Sequence, residues 1–174
     1  MSVDRFETLL QQIESRALPP VRQWQPEREG SIDIHIDAQG NWFHEGSKFS
    51  RQSLIDLFAT ILRREGSEYF LVTPAEKLKI RVDDVPFLVV DMEVRGTARQ
   101  ADLIFSTNVG DHVLADAVHE LSMRADKPYL MVRDGLEAKL TRSVFYRLVE
   151  QGIEETGTLA VYSQGTRFSL GATE

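Results

Sequence analysis

The sequence predicts an α+β fold: mostly antiparallel sheets and a duplicated ββαββ-like repeat, in two small packed domains behind an N-terminal helix. Three observations carry this. Lys48, Arg51, Leu57 and Gly66 recur in the same order and spacing as Lys139, Arg142, Leu148 and Gly157, with Phe49, Ser50, Phe58 and Leu62 answered by Leu140, Thr141, Val149 and Ile153. Short apolar-polar alternations such as Ile32-Asp-Ile-His-Ile36 read as half-buried strands. Turn dipeptides, notably Asp134-Gly135 and Gln164-Gly165, separate such strands at hairpin spacing.

The elements follow in order. Phe6, Leu9, Leu10 and Ile13 form one apolar stripe on a short helix, with Asp4, Glu7, Gln11 and Glu14 turned outward. Too short to stand alone, that helix must dock on the core. Pro19 and Pro20 end it, and an extended strap anchored by Trp24 follows. Strand 32–36, the turn Ala38–Asn41 and the return from Trp42 to Gly46 make the first hairpin. Ser50 then caps a helix with Leu54, Leu57, Phe58, Ile61 and Leu62 on its buried face and Gly66 as its stop. Tyr69–Val72, the turn Thr73–Glu76 and the alternating Leu78, Ile80, Val82 close the repeat. Asp83-Asp-Val-Pro86 is a junction. Strands are predicted from Phe87 to Val94, around Leu103 and Phe105, at His112–Leu114 and at Leu121–Met123, with turns at Asn108–Asp111 and Asp126–Pro128. Tyr129–Val132 and Leu136–Leu140 open the second repeat. Thr141 caps its helix, whose buried face is Phe145, Leu148, Val149 and Ile153, and a hairpin from Leu159 to Leu170 closes the chain. The predicted domains are 1–30 (helix and strap), 31–84 (first α+β repeat) and 85–174 (second, β-rich, containing the second repeat).

Composition narrows the function. The 174 residues carry a formal charge of −7, against the basic surface that sequence-independent binding to nucleic acid or anionic membrane needs. Zero cysteines remove disulfides, thiolate catalysis and Cys-based metal sites. No secretory h-region and no membrane-length apolar run is present, so a cytoplasmic protein is expected. Phosphate-cradling loops, H-E-x-x-H and the G-x-S-x-G elbow are all missing. The four histidines (His35, His44, His112, His119) lack metal-ligand spacing and read as solvated or structural. Asp83-Asp84 is a solvated turn or an internal ion pair before it is a catalytic pair, since neighbours on an extended chain point apart. No cofactor or metal is expected.

What remains is the pair of helix starts, where Lys48 and Arg51 flank Ser50 and Lys139 and Arg142 flank Thr141. Helix N-termini favour acids, so cations there, with a hydroxyl and free N–H groups, make an anion site. The alternative is an ion pair, with Arg51 reaching Glu45, Asp83 or Asp84. The turn Thr73-Pro-Ala-Glu-Lys77 gathers a hydroxyl, a carboxylate and an ammonium, and as a turn alone it reads as solvated.

Trp24-x-Pro26, Gly40-Asn-Trp-Phe-His-Glu-Gly46, Arg51, Tyr69-Phe-Leu-Val-Thr-Pro-Ala-Glu-Lys77, Val82-Asp-Asp-Val-Pro-Phe87 and Thr107-Asn-Val-Gly-Asp111 resemble a family of uncharacterised bacterial proteins, a domain of unknown function, over nearly the whole chain. The resemblance implies a duplicated core and a second half loosely similar to pleckstrin-homology-like domains. It also implies a site between the halves for a nucleotide-like ligand, and a role in signal transduction. The positions it carries over are Trp42, His44, Gly46, Arg51, Thr73, Pro74, Glu76, Lys77, Asp84, Pro86, Phe87, Asn108 and Asp111, of which Pro74, Pro86 and Phe87 also suit a purely architectural role.

The resulting expectation is a non-enzymatic ligand-binding module. Trp42, Tyr69 and Phe87 would floor a base; Lys48, Arg51 and Lys77 would meet phosphates; His44, Thr73, Glu76, Asp84, Asn108 and Asp111 would complete the ligand contacts. Two alternatives stand beside it: a hydrolase or transferase using carboxylates and His44, and a protein-interaction adaptor. A homodimer or a signalling protein is the expected macromolecular partner.

Overall fold

The structure, a computed structural model, describes residues 4–173. In chain order it contains α1 (Arg5–Ser15), β1 (Arg28–Ile36), β2 (Trp42–His44), β3 (Ser47–Lys48), α2 (Gln52–Thr60), β4 (Leu62–Glu65), β5 (Glu68–Val72) and β6 (Glu76–Val82). There follow β7 (Phe87–Arg95), β8 (Asp102–Thr107), β9 (His112–Leu114), β10 (Leu121–Arg124), β11 (Lys127–Arg133), β12 (Leu136–Leu140), α3 (Arg142–Glu150), β13 (Ile153–Glu155), β14 (Thr158–Ser163) and β15 (Thr166–Ala172). The α+β expectation holds. Among the described residues, no helix is long and apolar enough to cross a membrane. The chain divides into two compact units. One comprises Ala17–Pro86 with Asp134–Leu136; the other comprises Met1–Arg16, Phe87–Arg133 and Glu137–Glu174.

The unit built on residues 17–86 holds a six-stranded sheet ordered β3-β2-β1-β6-β5-β4. Two antiparallel three-strand meanders meet along the parallel pair β1 and β6. Register assigns the faces, because directly opposed residues share a side. Ile34, Ile36, Trp42, Tyr69, Leu71 and Ile80 are buried on one face. There Phe49 meets the Trp42 ring at 6.3 Å, and Phe58, on α2, meets Phe49 at 6.0 Å. The opposite face carries Asp33, His35, Phe43, Phe70, Lys79 and Arg81. The strap after Ala17 covers its β4-β5 end: Val21 and Trp24 pack on Phe70 and Val72, and Arg63 donates to the carbonyls of Val21 and Trp24. The β1-β6-β2 end of this face stays open.

In the other unit the sheet order is β10-β11-β12-β7-β8-β9, with β13-β14-β15 as a separate three-stranded sheet. The larger sheet again joins two three-strand meanders, here along the parallel pair β7 and β12. Phe6 and Leu9 of α1 bury against Ile104, with Leu10, Ile13 and Leu114 alongside, so the N-terminal helix docks on this unit's core. Asp91 on β7 takes Arg147 of α3 at 2.7 Å and has Arg5 of α1 at 3.8 Å; the hydrogen bond from Arg147, above all, lowers its pKa.

The sequence repeat survives as α2-β4-β5-β6 and α3-β13-β14-β15, element for element. Both helices are shorter than expected. α2 ends at Thr60 and Leu62 already begins β4; α3 ends at Glu150 and Ile153 begins β13. Gly66 and Gly157 are therefore not helix stops but turn residues one strand later, at φ +62° and +77°. A tight hairpin needs such a backbone, which glycine adopts without strain. Pro128 lies inside β11 rather than in the preceding turn.

The caps also differ. Thr141 accepts from the Val144 N–H, as expected. Ser50 does not cap α2: the capping position is Arg51, and no side chain bonds there. Thr141→Ala is expected to cost about 1 kcal/mol and Ser50→Ala almost nothing in urea unfolding. Equal losses would restore Ser50 as a cap.

Glu155 pins the small sheet. Tyr162, Arg167 and Arg99 all donate to its carboxylate, and together they lower its pKa from 4.5 to about 2. A lowered folded-state value stabilises above the unfolded pKa, and that stabilisation is lost as pH falls through the folded one. The contribution therefore persists at neutral pH and fades between 4.5 and about 2. The Tm of Glu155→Gln is expected to converge on the parent's in that window; a constant gap down to the lower end would mean the carboxylate's charge is irrelevant.

Candidate functional site

The groove on the open sheet face begins with a register slip. Ser31 pairs with Lys79, but the next parallel match is His35 with Arg81, so β1 bulges through Ile32, Asp33 and Ile34. The bulge and the β1-β2 turn leave a groove of about 390 Å³ lined by Asp33, His35, Asp37, Phe43, Gly46 and Arg81. A second depression of about 380 Å³, including Ser31 and Lys79, shares Asp33 and Arg81 with it.

His35 sits in the middle, with Phe43 opposite on β2 and Arg81 opposite on β6. Its ring lies 5.9 Å from that of Phe43. Nε2 is 2.7 Å from Asp83 Oδ1. This nitrogen is buried, with the Asp83 carboxylate as its near neighbour.

The flanking charges differ in commitment. Asp37 accepts from Gln39 N–H, Asn41 N–H and Asn41 Nδ2, which hold the turn. Burial would raise its pKa, but these donations and the His35 charge lower it. Asp33 and Arg81, both exposed, have neither a side-chain hydrogen bond nor an ion pair among the described residues. Among the described residues no cluster of His and acid side chains is arranged to hold a metal.

The residues named from sequence scatter over the two units. Trp42 is 1% exposed, and its indole N–H is buried without an acceptor. Tyr69 is buried on the same face, under the Arg64 guanidinium at 5.7 Å. His44 is exposed, stacks on Phe49 at 6.2 Å and lies 3.9 Å from Glu45. Lys48 and Arg51 are exposed and make no ion pair among the described residues, so Arg51 does not take Glu45, Asp83 or Asp84. Asp84 is half-buried. Thr73 Oγ1 accepts from the N–H groups of Ala75 and Glu76, satisfying its own turn. Glu76 faces Arg28 at 3.7 Å. Lys77 bonds Glu29 and Glu65, which raise its pKa, and covers the Phe70 ring at 4.6 Å.

Register separates several of these. Glu76 pairs with Arg28 and His44 with Ile34, at opposite ends of β1 and roughly 20 Å apart at the strand rise. His44 and Glu76 therefore do not meet.

Phe87, Asn108 and Asp111 lie in the other unit. Asn108 Oδ1 accepts from the Leu88 N–H, tying the β8-β9 turn to β7. Asp111, 4% exposed, takes Arg16 at 2.8 Å and Arg133 at 3.2 and 3.4 Å. Arg133 also lies over the fully buried Phe87 ring at 5.4 Å. Next along the turn, His112 Nδ1 is 2.8 Å from Ser106 Oγ, and burial, aided by Arg16 and Arg5, lowers the histidine's pKa.

Sequence reasoning missed the groove. The signal was present: Asp33, His35 and Asp37 alternate with isoleucines and so share one strand face. What put Arg81 beside them is a parallel pairing that no local pattern encodes.

Two family models match the chain: the N-terminal domain of a domain of unknown function (DUF1285) over residues 19–85, and the C-terminal domain of the protein of unknown function (DUF1285) over residues 86–170. The crystal structure of a DUF1285 family protein from Silicibacter pomeroyi is similar at 40% identity and TM-score 0.87, over 98% of this chain and 97% of that one. A DUF1285 family protein from Shewanella baltica is similar at 35% identity and TM-score 0.57, over 68% of this chain and 91% of that one. No curated protein matches.

Proposed function

The chain belongs to the DUF1285 family, and from that premise we propose that it is a non-enzymatic module that binds a small charged ligand, nucleotide-like in size, within a signalling system. The observation that carries the reading is the open groove at the β1 bulge, where Arg81, with no ion pair among the described residues, stands beside the Phe43 and His35 rings. Its volume lies in the range of small-molecule sites. An anionic group fits Arg81, and a flat group fits the rings. The hydrolase or transferase alternative needs His44 and a carboxylate within reach of one substrate atom. The separation of His44 from Glu76 argues against that pairing.

A second reading places the anion at the start of α2. Lys48 and Arg51 have no ion pair there among the described residues, and the exposed His44 ring stacks on Phe49 nearby. A thermal-shift series with AMP, ADP, inorganic phosphate and the L-amino acids separates the two. A ligand of the folded state at about 100 times its Kd stabilises by roughly 2.7 kcal/mol. That gain is expected to vanish in Arg81→Ala and persist in Arg51→Ala. The reverse moves the site to α2, and no stabilisation by any of these probes removes the ligand-binding reading.

A further inference from the structure

Two opposite charges line the β1 bulge groove and do not pair with each other. Asp33 comes from the bulged segment of β1, and Arg81 from the parallel strand β6. Both also border the adjoining depression, so the two openings share this pair of charges. The other carboxylates are differently placed: Asp37 is consumed by the β1-β2 turn, and Asp83 lies against His35. The groove thus offers one open anion and one open cation beside the His35 ring, whose Nε2 is turned to Asp83.

A purely anionic ligand satisfies Arg81 but brings like charge towards Asp33, Asp37 and Asp83. A purely cationic ligand has the converse fault at Arg81. A small molecule with both charges satisfies both sides, and specificity follows from the repulsion that single-sign ligands meet. We infer that the groove takes a zwitterion of amino-acid size, its ammonium on Asp33 and its carboxylate on Arg81, with the side chain against Phe43. This rests on the ligand-binding reading above and narrows it to one chemical class.

The test is a chemical-shift titration of the full-length protein, labelled at histidine, following the His35 ring. The probes are the L-amino acids added singly, then the N-acetyl and the amide derivatives of the tightest, with AMP and inorganic phosphate alongside. Each derivative lacks one charge, and a charged hydrogen bond lost corresponds to about tenfold or more in Kd. The expected result is saturable binding of an amino acid, weakened at least about tenfold in either derivative. Asp33→Asn is expected to weaken the amino acid and the amide while sparing the N-acetyl form; Arg81→Gln is expected to weaken the amino acid and the N-acetyl form while sparing the amide. Both positions are exposed, and an unchanged Tm verifies folding. Arg81-dependent binding of AMP or phosphate without amino-acid binding overturns the zwitterion and leaves the broader reading standing. If no probe moves His35, the zwitterion and the groove as a binding site both fall, and only the α2 site is left to the thermal-shift series.

Discussion

Asp111→Ala is expected to lower stability by about 3–5 kcal/mol, the range for leaving buried charges without their partner. Its carboxylate, 6% exposed, holds Arg16 from the end of α1 and Arg133 from the end of β11. Arg16 also donates to the Gly110 carbonyl at 2.7 Å, so the contact fastens α1 to the β8-β9 turn. The turn depends on the same residue through its backbone: Thr107 N–H donates to the Asp111 carbonyl, and Asp111 N–H donates to Thr107 Oγ1. Removing the side chain leaves two guanidinium groups, 27% and 14% exposed, facing each other. A loss of about 3 kcal/mol corresponds to a drop in Tm of roughly 10 °C for a chain of this length. Far-UV circular dichroism is the suitable probe, because both tryptophans, Trp24 and Trp42, lie in the other unit. A change within about 0.5 kcal/mol, as at an ordinary surface position, would show that the two arginines rest on water instead.

Leu148→Ala is expected to cost about 2–5 kcal/mol, while Leu57→Ala, at the matching place in the repeat, costs less than about 1 kcal/mol. Leu148 is 0% exposed on α3, and Leu57 is 58% exposed on α2. Truncation at Leu148 leaves a cavity among fixed neighbours; truncation at Leu57 removes surface already in water. Urea unfolding measures both, by dichroism for Leu148 and by tryptophan fluorescence for Leu57. Equal losses would mean that Leu57 is covered in solution, which would favour an interaction surface on α2.

That contrast marks how far sequence reasoning reaches. Several local signals held, although the Ser50 cap and the Gly66 stop did not. Asp134-Gly135 forms the hairpin turn with both residues at positive φ, and the apolar stripe of α1 is the stripe that docks. The repeat identified equivalent elements but not equivalent environments. Leu57 and Leu148 look alike because burial depends on what packs against a helix, and the pattern along one helix does not carry that. The same holds for the candidate site. Trp42 and Tyr69 were selected as aromatics able to stack on a ligand, and both are core residues. Asp33, His35 and Arg81 were visible only as the polar half of two alternating strands, since the pairing that assembles them joins β1 to β6 across the whole length of that unit's repeat.

The parallel pairs β1-β6 and β7-β12 also govern the order in which the protein can assemble. In each large sheet the first strand made and the last strand made are the two in the centre. The early meander can form its hairpins as it leaves the ribosome, yet its inner edge stays open until residues 76–82 emerge for one sheet and 136–140 for the other. The central contacts thus have the greatest sequence separation, which slows folding and delays the burial that rewards it. A nascent chain halted just before β6 presents β1 as an unpaired edge, the geometry that recruits foreign strands. Each half-sheet is in this sense incomplete by design, and chaperone dependence during synthesis is expected to peak immediately before β6 and β12 are released.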